Sequence, residues 1–180
     1  MREVLQVRPL SGYPDEIGRW LWAMRAVRGK TLWVVEGLDQ AALDWEGPDG
    51  RENSIGSLLY HIAGVEIGWL YTDILGQKFP PEVERELPFD RWTTEGGMGR
   101  VTNASLADHM GRLERIRSIF LDTLSGMTLD DWRRLRSPEG ENYDVTPEWA
   151  IFHLVEHEAG HTAQISSLKR RARHFFGHDA

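Results

Sequence analysis

The sequence contains no cysteine, which removes disulfides, thiolate metal ligands and a protein-borne thiol nucleophile together. Any thiol chemistry must be brought by a cosubstrate. Positive charge is also scarce: 21 Lys and Arg against 28 Asp and Glu give a formal net charge of −7 and a pI near 5.5. Gripping a phosphate backbone requires a positive field, so the composition favours a small-molecule partner and no nucleic acid. Nowhere do the roughly eighteen successive apolar residues of a membrane span occur, and the N-terminus lacks the apolar run of a signal peptide. No membrane partner is expected, and the chain reads as cytoplasmic.

What is present is ample for folding. With 180 residues and 41% hydrophobic content, residues 1–180 suit a single domain whose core needs no staple. Apolar residues recur at steps of three and four in four long stretches, the period of amphipathic helices. After an extended lead-in to Pro14, the first helix spans Asp15 to Glu36 with Trp20, Met24, Val27, Thr31 and Val34 inward, and Gly37 stops it. The second is capped by Asn53 or Ser54, carries Ile55, Leu58, Ile62, Val65 and Trp69, and ends near Gly76. A capping-box-like Ser105-Leu-Ala-Asp108 opens the third, with Leu106, Met110, Leu113, Ile116 and Phe120 inward. Thr146-Pro147-Glu148 opens the fourth with a cap, a first-turn proline and an acid, and its last turn, near Arg173, is cationic as the helix dipole favours.

Two short capped turns, Asp39–Trp45 and Thr128–Trp132, follow the first and third helices. The connection 77–104, rich in proline and glycine, is long enough to suggest a crossover or a cover over a site. The halves also echo each other: GLDQAALDW after helix one answers GMTLDDW after helix three, and SIGSLLYH (54–61) aligns cap on cap with TPEWAIFH (146–153). This supports an all-α architecture, a four-helix bundle with long connections and short extra helices, built as a two-fold pseudo-repeat.

Chemistry concentrates in AIFHLVEHEAGHTAQISSL (150–168), where His153, His157 and His161 stand four residues apart. Residues i and i+4 lie on one helical face about 6 Å apart, so two such imidazoles can grip one ion, whereas the outer pair is about 12 Å apart. The inward line Ala150, Leu154, His157, His161, Gln164 or Ile165, and Leu168 selects His157 and His161. His61, at the core edge of the second helix, is the natural third ligand, leaving an open position as catalytic zinc sites do. His157-Glu158-Ala-Gly-His161 also spells HExxH, but no further ligand follows it and no sheet precedes it, which argues against a zinc protease. Glu158 reads either as a general base on a bound water or as a solvated or supporting glutamate. Tyr60, Trp69 and Trp149 line a pocket or belong to the plain core. His109, His174 and His178 read as surface or capping residues, and the basic KRRARHFFGH as a cationic helix end.

The SLLYHIAGVEIGW segment, the GLDQAALDW turn and HLVEHEAGHTAQI together resemble the DinB/YfiT-like superfamily of four-helix-bundle metalloenzymes, over nearly the whole chain. The resemblance implies a DinB/YfiT-type bundle. It also implies a divalent ion, zinc or nickel, on a helix-two histidine and an HxxxH pair, which fall here on His61, His157 and His161. Gln164 matches a glutamine that commonly follows the pair. Characterised relatives are thiol S-transferases using bacillithiol or mycothiol and a mycothiol-dependent isomerase. The resemblance therefore implies a metal-dependent enzyme with transferase-like or hydrolase-like activity on a small molecule, a low-molecular-weight thiol cosubstrate, and a homodimer. The alternative expectation is a non-catalytic metal-binding bundle with a structural, sensing or dimerisation role.

Overall fold

A computed structural model describes residues 2 and 4–177. His178 and residues 1 and 3 of the lead-in lie outside the described residues. The chain forms α1 (Asp15–Val35), α2 (Gln40–Asp44), α3 (Ile55–Gly68), α4 (Pro81–Glu86), α5 (Leu106–Leu124), α6 (Leu129–Arg133) and α7 (Pro147–Phe175), with a π-helical turn, Trp69–Ile74, extending α3. Among the described residues no strand forms; two isolated bridges, Trp92 with Met98 and Arg136 with Val145, pin the long connections. No described helix is long and apolar enough to cross a membrane.

The helix starts follow from local cap chemistry. Ser54, Ser105 and Thr146 each accept a hydrogen bond from a backbone N–H three residues on, and Ser105 with Asp108 forms a complete capping box. Asp39 and Thr128 cap the two short helices in the same way. The fold is thus all-α, with four long helices: α1 lies along α7, α3 along α5, and α3 against α7, while α1 and α5 barely touch. Both halves of the chain follow one pattern of long helix, short capped helix, loop and long helix, in keeping with the pseudo-repeat.

The core joins Leu21 and Met24 of α1, Leu58 and Ile62 of α3, Leu113, Ile116 and Phe120 of α5, and Leu154, Ile165 and Leu168 of α7. Each such side chain contributes about 1.5–3 kcal/mol when removed fully from water. At mid-bundle, however, charged side chains join the expected apolar lines in the core. Arg28 is buried rather than Val27, Glu66 rather than Val65, and Glu158 beside the half-buried His157, while on α5 Leu113, Ile116 and Phe120 are buried as expected, Met110 is exposed, and His109, Arg112 and Arg117 are buried as well. A stripe read from apolar residues steps over positions where the core itself is charged.

Candidate metal centre

His61 reaches the centre from the second turn of α3, and His157 and His161 from successive turns of α7. Their ligand atoms lie within 4.8 Å of one another. The His157 Nε2 is the shared corner, 3.1 Å from the Nε2 of His61 and 3.1 Å from that of His161. With metal–nitrogen bonds of 2.0–2.1 Å, two nitrogens on one ion stand about 2.9 Å apart at a right angle and about 3.4 Å apart at the tetrahedral angle. The observed spacing falls between these, so the donor set fits a single divalent ion.

Proton bookkeeping leads to the same conclusion. The Oε1 of Gln164 lies 2.8 Å from the Nδ1 of His161 and accepts the Nδ1 proton, which leaves the Nε2 lone pair of a neutral His161 directed at the centre. Neutral His157 has at most one Nε2 proton to offer two neighbouring nitrogens. A cation at their centre satisfies all three lone pairs. The rings are also prepared for it: burial, then the neighbouring His161, lowers His61 to about 4. Burial, then His161, His61 and His153, lowers His157 to about 3. Both are neutral at ordinary pH, the form that ligates.

The triad is half-buried, and His157 and His161 open on a shallow depression of about 270 Å³ that His153, Glu156, Gly160 and Gln164 also line. His153, outside the triad, stacks on Trp149 with ring centroids 5.4 Å apart, contacts Trp69 at 5.0 Å, and has its Nδ1 3.2 Å from Glu156. The long connection between α3 and α5 reaches the site: Trp92 sets its indole edge-on to His61 at 5.2 Å. Tyr60, by contrast, is plain core, and its hydroxyl donates to the carbonyl of Phe89.

Glu158 occupies a different place from the one expected of a general base. It is 3% exposed, and its Oε1 accepts from Arg28 Nε (2.6 Å) and Thr31 Oγ1 (2.9 Å), its Oε2 from Arg28 Nη2 (3.1 Å) and Arg117 Nη2 (3.2 Å). Glu66 mirrors it, accepting from Arg117 Nε at 2.5 Å and Arg28 Nη2 at 2.7 Å. Burial pushes the Glu66 carboxyl up, but Arg117 and Arg28 outweigh it and hold the group below the usual carboxylate range. The four residues form a closed, neutral quartet under the histidines. A sequence signal for it exists in the pseudo-repeat: Arg28 and Arg117 each precede Gly37 or Gly126 by nine residues, and Glu66 and Glu158 each follow the caps Ser54 or Thr146 by twelve. His109 is likewise not a surface residue but 2% exposed, whereas the expected capping region around His174 is exposed as anticipated.

The uncharacterized protein YkkA of Bacillus subtilis is 25% identical over 139 residues, which cover 76% of this chain and 77% of that protein. A family model described as the DinB superfamily matches residues 23–165, the stretch from α1 through both halves of the histidine centre. The chain belongs to the DinB superfamily.

Proposed function

We propose that His61, His157 and His161 hold one divalent ion, zinc or nickel, in a metal-dependent enzyme acting on a small molecule, most consistent with thiol S-transfer and next with hydrolysis. The observation that carries this reading is that ligand nitrogens of three histidines lie within 4.8 Å of one another, with His157 and His161 lining a solvent-open depression. An ion bound there would supply a Lewis-acidic open position that favours the deprotonated form of a low-molecular-weight thiol or a water. The chain's own residues have supporting roles. Gln164 fixes the His161 tautomer, Trp92 packs edge-on against His61, and the Glu156–His153 pair stands at the rim. Glu158 in this reading is a positioning residue, since its oxygens are engaged below the site. Lacking cysteine, the protein must take its thiol from a cosubstrate.

A second reading, a non-catalytic metal-binding bundle, is favoured by the depression's size, which lies below the roughly 300–1,000 Å³ of typical ligand pockets. The two are separated by screening the zinc- and nickel-loaded protein for thiol transfer and ester or amide hydrolysis beside His161→Ala. The enzyme reading expects activity that His161→Ala abolishes; activity that survives the substitution overturns it. Family resemblance and composition extend the reading to a cytoplasmic, single-domain homodimer, for which sedimentation at micromolar concentration is the check.

A further inference from the structure

The long helices pack around the bundle in the order α1, α7, α3, α5, and the fourth seam, between α5 and α1, is left nearly unpacked. It forms a groove of about 430 Å³ with apolar walls, Leu32 from α1 and Met110, Leu113 and Leu121 from α5. That size falls within the roughly 300–1,000 Å³ of small-molecule pockets. None of the three histidines of the metal centre lines it. Two buried guanidiniums do, those of Arg28 and Arg117, so the quartet beneath the histidines meets the surface here.

Hydrogen-bond bookkeeping leaves one of these guanidiniums incomplete. Arg28 uses all three nitrogens, Nε and Nη2 on the two glutamates and Nη1 on the Leu113 carbonyl at 2.9 Å. Arg117 spends Nε and Nη2 on Glu66 and Glu158, and its Nη1 has no partner among the described residues. The guanidinium is planar, so Nη1 points away from the edge that grips Glu66. The residue is only 9% exposed. Yet the fully buried atoms without a partner are Trp45 Nε1, His109 Nδ1, Arg112 Nη1 and Trp132 Nε1, and Arg117 Nη1 is not among them. A donor that is neither bonded nor sealed, on a side chain lining a groove, opens into that groove. Its N–H groups call for an acceptor.

Charge balance decides which acceptor fits. The two guanidiniums and two carboxylates of the quartet cancel, and Glu114 adds a negative charge to the groove lining. A ligand carboxylate would face Glu66 and Glu158 across a single guanidinium, with no net positive charge to draw it. A neutral oxygen meets no such repulsion, and its apolar body gains burial against Leu32, Met110 and Leu121.

We propose that the α1–α5 groove is a second binding site, for a neutral, mainly apolar molecule whose carbonyl-type oxygen accepts from Arg117 Nη1. The site stands on its own residues and does not depend on a metal at the histidine centre.

Three phenyl compounds of nearly equal size test the proposal: acetophenone with a neutral acceptor, cumene with none, and benzoate with a charged one. Each is titrated by NMR into the full-length protein, with the side-chain nitrogens of Arg117 as the local reporter. Acetophenone should bind at least about threefold more tightly than benzoate and shift the Arg117 signal, which cumene should leave in place. Arg117→Lys keeps the charge but removes Nη1, and should weaken acetophenone about tenfold and cumene less than about twofold. Leu121→Trp and Leu32→Trp fill the groove from opposite walls, and each should weaken both neutral ligands at least about tenfold. The proposal is overturned by a wild type that does not bind acetophenone, by an α1–α5 face sealed between two copies of the chain, or by tighter binding of benzoate. Equal losses of acetophenone and cumene in Arg117→Lys, or binding that survives both tryptophan substitutions, overturn it as well. If Arg117→Lys fails to fold, the wild-type ranking and the Arg117 signal decide.

Discussion

Two clusters of polar side chains lie next to each other, one drawn from all four long helices and the other from α3 and α7 alone, and His157 and Glu158 are neighbours in the chain that serve one each. The Arg28–Glu66–Arg117–Glu158 quartet is buried, neutral and closed: both carboxylates have both oxygens engaged. The His61–His157–His161 triad is half-buried, and the Nε2 of His157 stands 3.1 Å from that of each of the other two with at most one proton to share between them. The quartet also obeys the pseudo-two-fold of the chain, while the triad breaks it: the counterpart of His61 in the second half is His153, which stacks on Trp149 rather than joining the centre. Where polar groups satisfy one another they serve the scaffold, and where they converge without doing so they await a ligand.

The sharpest way to break the comparison is to open the quartet. Glu158→Leu leaves two buried guanidiniums with one carboxylate, and urea unfolding should show a loss of about 3–5 kcal/mol. Replacing all four members with apolar residues of similar size should be near neutral or stabilising. If Glu158→Leu instead left stability unchanged and abolished only activity, Glu158 would belong with the triad after all.

His109 provides a third case, buried like the quartet but unsatisfied like the triad, with no partner for its Nδ1 among the described residues. Burial, then Arg112, lowers it to about 4, against the opposing pull of Asp108 and Asp44. The unfolded chain takes up this proton near pH 6.5 and the folded chain only near 4, so stability is full above 6.5, declines through that window and levels off below it. Wild type should lose on the order of 3 kcal/mol more than His109→Gln between pH 6.5 and 4, measured by denaturant titration at each pH. Parallel curves would contradict this.

Smaller effects separate ligand support from scaffold. Gln164→Leu should weaken metal affinity about 10–100-fold in a competition titration with a chelator, with little change in the stability of the metal-free protein, because the side chain is exposed. Ser105→Ala, which removes the α5 cap, should do the reverse, lowering stability by about 1 kcal/mol and leaving affinity alone.

The parts legible in the sequence are those set by local chemistry. Capping residues at Ser54, Ser105 and Thr146 announce each helix start regardless of tertiary context, and the i,i+4 spacing brings the rings of His157 and His161 together whichever face they occupy. The rotation of the other long helices was not as legible as that of α5 from apolar residues alone. On α1, α3 and α7 the core at mid-bundle includes Arg28, Glu66 and Glu158, so the apolar pattern there points one residue to the side, whereas on α5 Leu113, Ile116 and Phe120 are buried as the pattern expects. His157 and His161 therefore look like core residues when they are the half-buried shoulder of a core that passes through Glu158 and Ile165. Trp92 escaped notice for a different reason, since contact between a loop and a helix leaves no period to read.

The most direct measurement of the central claim is elemental analysis of protein purified without a histidine tag, beside His157→Ala prepared in the same way. One divalent ion per chain in the wild type, lost in His157→Ala, is the predicted result. A wild type that neither carries nor rebinds a stoichiometric ion, or a variant that binds as well, would contradict the triad as a metal centre.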